Sequence, residues 1–110
     1  MVNIDNKVIR ITRGDSCIIK LTIYDSSGNE YEPVPEDTII FTVKSNINNE
    51  YKVIEKEFNN NELTLLKIDT ISLNFGTYFY DVRLENGSIY DTILDSGDFI
   101  IEGGTANARN

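Results

Sequence analysis

The sequence contains no histidine and no tryptophan, and it has one cysteine, one methionine and two prolines in 110 residues. Without an imidazole base, serine–histidine and cysteine–histidine nucleophilic triads are excluded. Without histidine, and with a single thiol, the Cys/His ligand sets of zinc sites are excluded too. One cysteine cannot form an internal disulfide. Cys17 shares its parity with Ile19, Leu21 and Ile23, which is the pattern of an inert core thiol. Positive charge is scarce: ten Lys and Arg stand against eighteen Asp and Glu, a net charge of −8. Duplex binding depends on neutralising phosphates, so these scattered cations predict no nucleic-acid partner. No apolar run reaches the length of a membrane span. The first residues, Met1-Val2-Asn3-Ile4-Asp5, lack the basic-then-apolar pattern of a signal peptide, so folding in a cytoplasm is expected and no membrane partner is. There is no EF-hand spacing and no phosphate-cradling glycine loop with a lysine, and no cofactor is expected.

What is present is a chain sized for one domain, in which about 65% of the unfolded surface would be buried. Apolar and polar residues alternate with period two in several short runs. Residues 77–84 are the clearest: Tyr78, Tyr80, Val82 and Leu84 share one face, and Thr77, Phe79, Asp81 and Arg83 the other. Gly76 marks a bend just before this strand. A tyrosine after a corner, two residues before a large core residue, matches the tyrosine corner of immunoglobulin-like sandwiches. Tyr78 is the corner residue, and Tyr80 stands where many such domains carry their second cysteine.

Taken in order, strands are expected over 7–12, 17–24, 38–44, 51–58, 62–68, the 77–84 run, and 88–94 with a short continuation over 99–102. Arg13-Gly14-Asp15 reads as a turn, although the triplet also matches an integrin-binding tripeptide. Pro33 and Pro35 make 31–36 an extended crossover between sheets. In 51–58 the charges Lys52, Glu55, Lys56 and Glu57 predict one face in water. The third to fifth strands are expected to form a meander. A single helical turn is expected over 69–73, and Asp95-Ser96-Gly97-Asp98 should bend or bulge the last strand. Asn86-Gly87 is the strongest hairpin signal, although Asn86-Gly87-Ser88 also matches a glycosylation sequon. A two-residue loop there puts Asp91 on the apolar face. A three-residue loop puts Tyr90, Thr92 and Leu94 on it, and is preferred. The residues themselves do not decide the register.

These signals predict an all-β, immunoglobulin-like antiparallel sandwich of seven to eight strands over 1–102, followed by a polar tail over 103–110. In either register Asp81 and Thr92 are close, so a carboxylate–hydroxyl bond inside the sheet is expected. Asp81, Asp91, Asp95 and Asp98 could gather at one end around calcium, or simply be solvated strand-end acids. Tyr24, Tyr31, Tyr51 and Tyr90 are candidate interface residues, because tyrosine is favoured at subunit contacts. Gly103 and Gly104 open a tail expected to be held by a neighbouring chain.

The order of these motifs resembles a known family. Ile9-x-Ile11-x-Arg13-Gly14-Asp15 leads into a strand ending Ile23-Tyr24-Asp25. Gly28, the proline crossover and Ile39-x-Phe41-x-Val43-Lys44 follow. Then come Ile68-Asp69-Thr70, Gly76-x-Tyr78-x-Tyr80-Asp81-Val82, Thr92 and Gly97-x-Phe99-x-Ile101. The series resembles the immunoglobulin-like N-terminal domain of phage baseplate upper proteins, and related small tail proteins of phages and prophages of Gram-positive bacteria. The likeness runs to about Glu102. It implies an oligomeric, non-enzymatic virion component whose partners are other virion structural proteins and copies of itself. Two alternatives remain: an acidic phage-encoded inhibitor that mimics nucleic acid, and a carbohydrate-binding sandwich module of an adhesion device, which the lack of tryptophan weakens. Asp81→Ala should lower the melting temperature without altering surface contacts; an unchanged melting temperature rejects a structural role for this carboxylate.

Overall fold

A computed structural model of the chain describes residues 2–5, 8–25, 27–45 and 51–103. Gly104 and the rest of the tail lie outside the described residues, as does most of the loop after Ser45. The elements are β1 (Val2–Asp5), β2 (Val8–Thr12), β3 (Cys17–Lys20), β4 (Thr38–Lys44), β5 (Lys52–Glu57), β6 (Glu62–Leu65), α1 (Lys67–Thr70), β7 (Gly76–Asn86) and β8 (Ile89–Glu102). They form an all-β sandwich. A six-stranded sheet in the order β1-β2-β8-β7-β4-β5 faces a two-stranded sheet, β3-β6.

The core follows from strand parity. Ile39, Phe41 and Val43 of β4, Tyr78, Tyr80, Val82 and Leu84 of β7, and Phe99 and Ile101 of β8 are all buried. Across from them lie Ile19 of β3 and Leu63 and Leu65 of β6. Phe41 is the hub: its ring centroid is 5.4 Å from Tyr80, 6.0 Å from Phe99 and 6.3 Å from Phe58. Tyr80 therefore takes the second-cysteine position as a packing residue. Its burial, helped by nearby Asp98, pushes the phenol pKa up. Cys17 is half-buried against the core, and burial is the main cause of its raised thiol pKa. A raised pKa keeps it as the inert thiol.

The tyrosine corner is present. The Tyr78 hydroxyl donates to the Asn74 carbonyl at 2.9 Å, four residues back. Gly76 sits between them with φ 142°, a conformation that favours glycine.

Four expectations change. First, pairing is mixed rather than wholly antiparallel. β2 runs parallel to β8, from Ile9 opposite Phe99 to Thr12 opposite Glu102. The Arg13–Asp15 turn carries the chain across to the second sheet instead of back along the first, so β2 is antiparallel to β1 but parallel to β8. Second, there is no meander. β4 pairs with β5, but β6 pairs with β3. Asn60 and Asn61 both adopt positive φ, 53° and 62°, and swing the chain between layers; asparagine tolerates that region. Third, β3 stops at Lys20 and β6 at Leu65. The Asp69 carboxylate accepts the Leu66 N–H at 2.7 Å and starts α1 two residues earlier than expected. Fourth, Lys56 belongs to the core-facing parity. It lies opposite Phe41, and its ammonium reaches Asp69 at 2.6 Å and the Thr64 carbonyl at 3.0 Å.

Polar ties of this kind fasten the small layer. Beside the Asp69–Lys56 pair, the fully buried Thr70 accepts the Gly14 N–H through its hydroxyl at 2.8 Å. A Cβ on Gly14 would stand 3.0 Å from Ile71 Cδ1, and its φ is 86°. The Arg13-Gly14-Asp15 triplet is thus a structural turn, with the Arg13 guanidinium 4.2 Å over the Phe75 ring. Tyr78→Phe, which removes only the corner hydroxyl, should cost about 1 kcal/mol. A urea titration checks this: the midpoint should fall with the slope preserved, and an unshifted midpoint rejects the corner as a fold determinant.

Candidate functional site

β7 and β8, of 11 and 14 residues, extend well beyond the four-residue strands of the small sheet. At roughly 3.3 Å per residue the mismatch amounts to several turns of pleat. Among the described residues, the overhanging inner face at the hairpin end is covered by the crossover that follows β3. The result is a groove of about 670 Å³ between Ile23, Tyr24 and Tyr31 on one side and Leu84, Ile89 and Asp91 on the other. A smaller depression of about 510 Å³ beside Pro33, Pro35 and the Asn59–Asn61 turn has no exposed aromatic wall.

Asp37 builds the groove. Its carboxylate accepts the Tyr31 hydroxyl at 2.6 Å, the Val34 N–H at 3.0 Å and the Asn86 side-chain amide at 2.9 Å. It therefore ties the crossover to the hairpin. The Tyr31 bond is the first cause holding the Asp37 pKa below its ordinary value, and the same bond is the first cause raising that of Tyr31. Asp25, at the other lip, accepts the backbone N–H groups of Ser27 and Asn29.

Asn86 is held in the strand by Asp37, and this sets the hairpin. Asn86 pairs with Ile89, so the loop is Gly87-Ser88 rather than Asn86-Gly87. Gly87 has φ 59° and Ser88 no positive φ, the pattern of a type II′ turn. Neither expected register forms, and of the three residues that the preferred three-residue loop puts on the apolar face only Leu94 is there. Asp91 lies opposite Leu84 on the core parity, while Tyr90 and Thr92 face outward opposite Glu85 and Arg83. Ile93 is then one extra residue, which brings Leu94 opposite Val82, and a second extra residue at 95–96 returns Gly97 to Tyr80. Ser96, with φ 57°, makes the expected bulge.

The outer face of the large sheet centres on Arg83. Its guanidinium donates to the Tyr90 hydroxyl at 2.8 Å and to the Thr42 hydroxyl at 3.2 Å, and lies 3.5 Å from Glu55. Glu55 also pairs with Lys52 at 3.0 Å, the first cause of its lowered pKa. Thr42, on the outer parity, is almost wholly buried beneath this network. The expected Asp81–Thr92 bond does not form. Thr92 is opposite Arg83, and Asp81 Oδ1 lies 3.6 Å from Arg83 Nε, two buried atoms that face each other without a hydrogen bond. A bulge beside Asp81 takes Thr92 out of its reach.

The candidate tyrosines do not converge. Tyr24, 65% exposed, and half-buried Tyr31 share the groove. Tyr90, 55% exposed, belongs to the Arg83 face, and Tyr51 precedes β5 with 68% of its surface exposed. Gly103 is exposed just past β8. Of the strand-end acids, Asp91 is at the hairpin, Asp81 beside Arg83 and Asp98 opposite Phe79, while the Asp95 side chain lies outside the described ones. Among the described residues no group of three or more acidic or cysteine side chains is arranged to hold a metal ion. Sequence reasoning did not single out Asp37 or Arg83. Asp37's signal is faint, an acid closing a Pro-x-Pro crossover; Arg83 reads as one polar residue among several. No family model, curated protein or solved structure matches the chain.

The Asp37–Tyr31 pair predicts a pH window. A depressed carboxylate pKa contributes stability that is full above the ordinary Asp value and lost as pH falls through the folded value. A raised phenol pKa contributes stability that is full below the ordinary Tyr value and lost as pH rises through the raised one. Asp37→Asn should therefore lower the urea midpoint at neutral pH and flatten both the acid and the alkaline limbs. Curves that run parallel to those of the unmodified chain at all pH values reject this coupling.

Proposed function

We propose that this chain is a non-enzymatic structural subunit of a bacteriophage or phage-like particle, in the baseplate, tail or head surface. It acts through contacts with other virion proteins and with copies of itself. The observation that carries the reading is the distribution of exposed apolar side chains over a sandwich whose motif order resembles baseplate domains. The motif residues Ile9, Phe41, Tyr78 and Phe99 are buried as fold determinants. Two groups of exposed apolar side chains stand at opposite ends of the sandwich. Ile68, 76% exposed, stands with Ile71 and Phe75 at the α1 end, and Ile89, 57% exposed, stands with Tyr24 at the hairpin end. Exposed apolar clusters at two poles suit a subunit with a neighbour on each side. The absence of a histidine base supports a role in contact rather than catalysis.

The test is mass spectrometry of purified particles from the producing host, together with the sedimentation behaviour of the chain. Peptides from this chain at a stoichiometry matching the particle's symmetry, and an assembled species in solution, are expected. Particles free of the chain, from a culture in which it is expressed, reject the reading.

A further inference from the structure

We propose that the hairpin-end groove seats a lysine or arginine side chain projected by a different protein. The inference deepens the particle-subunit reading and rests on it for the protein nature of the partner.

The β7–β8 register is the first observation. It puts Ile89 and Asp91 on the same parity as the core residues Phe99 and Ile101, on the overhang that the small sheet does not cover. A one-residue slip would have sent Asp91 outward. Instead the strand carries two extra residues and keeps an acid on its inward face. Places where the local pattern loses to the fold are where function is sought.

The second observation is charge. Asp25, Asp37 and Asp91 line the groove, and no described lining residue is a lysine or arginine. Asp37 and Asp25 are engaged by the chain's own hydrogen bonds, as described above. The Asp91 carboxylate makes no hydrogen bond or ion pair with another described residue. The groove thus holds negative charge without an internal counter-ion, between the apolar walls of Tyr24 and Ile89.

An amphipathic cation fits such a place. Its methylenes lie along the apolar walls while its head reaches Asp91, with the exposed Tyr24 ring available to a guanidinium or ammonium. A hydrated divalent ion asks for a cage of oxygens instead, and phosphate is repelled. A second copy of this chain is a poor donor. Each copy carries a net charge of −8, so two copies repel each other at this acidic groove, and Arg10, Lys52, Lys56 and Arg83, four of the ten cations, already pair with the chain's own acids. The donor is therefore a basic segment of another protein.

The test is an amide-resolved NMR titration of the whole chain with Nα-acetyl-arginine amide and Nα-acetyl-lysine amide. The uncharged citrulline analogue and N-acetylglucosamine serve as comparison probes. Saturable shifts confined to residues 23–25, 31 and 84–93 are expected, weakened roughly tenfold or more by citrulline or by Asp91→Asn. The dispersed spectrum of the variant confirms that it folds. The proposal is overturned by equal binding of citrulline, by unchanged binding to Asp91→Asn, by shifts spread over the Arg83 face, or by a saturable response to the sugar alone. Self-association that Asp91→Asn abolishes overturns the assignment to a different protein. None of these readouts needs a particle, so absence of the chain from particles and failure of the groove are separate results.

Discussion

Strand β8 has to satisfy two partners at once. Its last four residues run parallel to β2, and its full length runs antiparallel to β7. Side chains alternate strictly along a strand, so a single inserted residue turns every later side chain to the other face. β8 contains two insertions, at Ile93 and at 95–96, and the second undoes the first. Phe99 and Ile101 can therefore stay in the core while Ile89 and Asp91 also face inward. Only around Leu94 does the opposite parity point in. The parallel pair, the hairpin and the groove all depend on this double correction.

The second organising fact is the unequal size of the layers. A two-stranded sheet cannot cover a six-stranded one by apolar burial alone. Here single polar contacts, each linking segments distant in sequence, stand at the margins. Thr70 holds the Gly14 turn, Asp69 and Lys56 close the gap beside β6, and Asp37 binds the crossover to the hairpin. Each carries several partners or is well shielded from water, which gives it more weight than an isolated surface pair. The aromatic cluster around Phe41 fills the central space in a chain that cannot form an internal disulfide.

Much of this was legible beforehand, for short-range reasons. β4 occupies the expected residues 38–44 because its alternation is clean. The Tyr78 corner could be seen because its partner, Asn74, is four residues away. What was not legible is what depends on the third dimension. The Asn59–Asn61 turn reads the same whether the chain returns within a sheet or crosses to another one, so the meander was a fair but incorrect expectation. Lys56 looks like one charge in a solvated strand, and only its register opposite Phe41 turns it inward. The hairpin register hinged on the Asn86 side chain being held by Asp37, forty-nine residues earlier. Three of the four polar partners that make Arg83 a hub lie on three strands other than its own, so no local pattern could announce it.

The inward ammonium of Lys56 bears on how such molecules could fuse rim to rim. On the β5 margin, a ribbon trying to zip onto the large sheet would meet Lys52, Glu55 and Glu57 on one side and Lys56, paired with Asp69, on the other. Charged, inward-aimed residues of this kind discourage edge-to-edge polymerisation. Among the described residues the opposite margin, β1, has no paired strand beyond it. Lateral growth therefore has a dead end built into one flank, and any chain of copies that propagated through sheet hydrogen bonds would stop after a single addition.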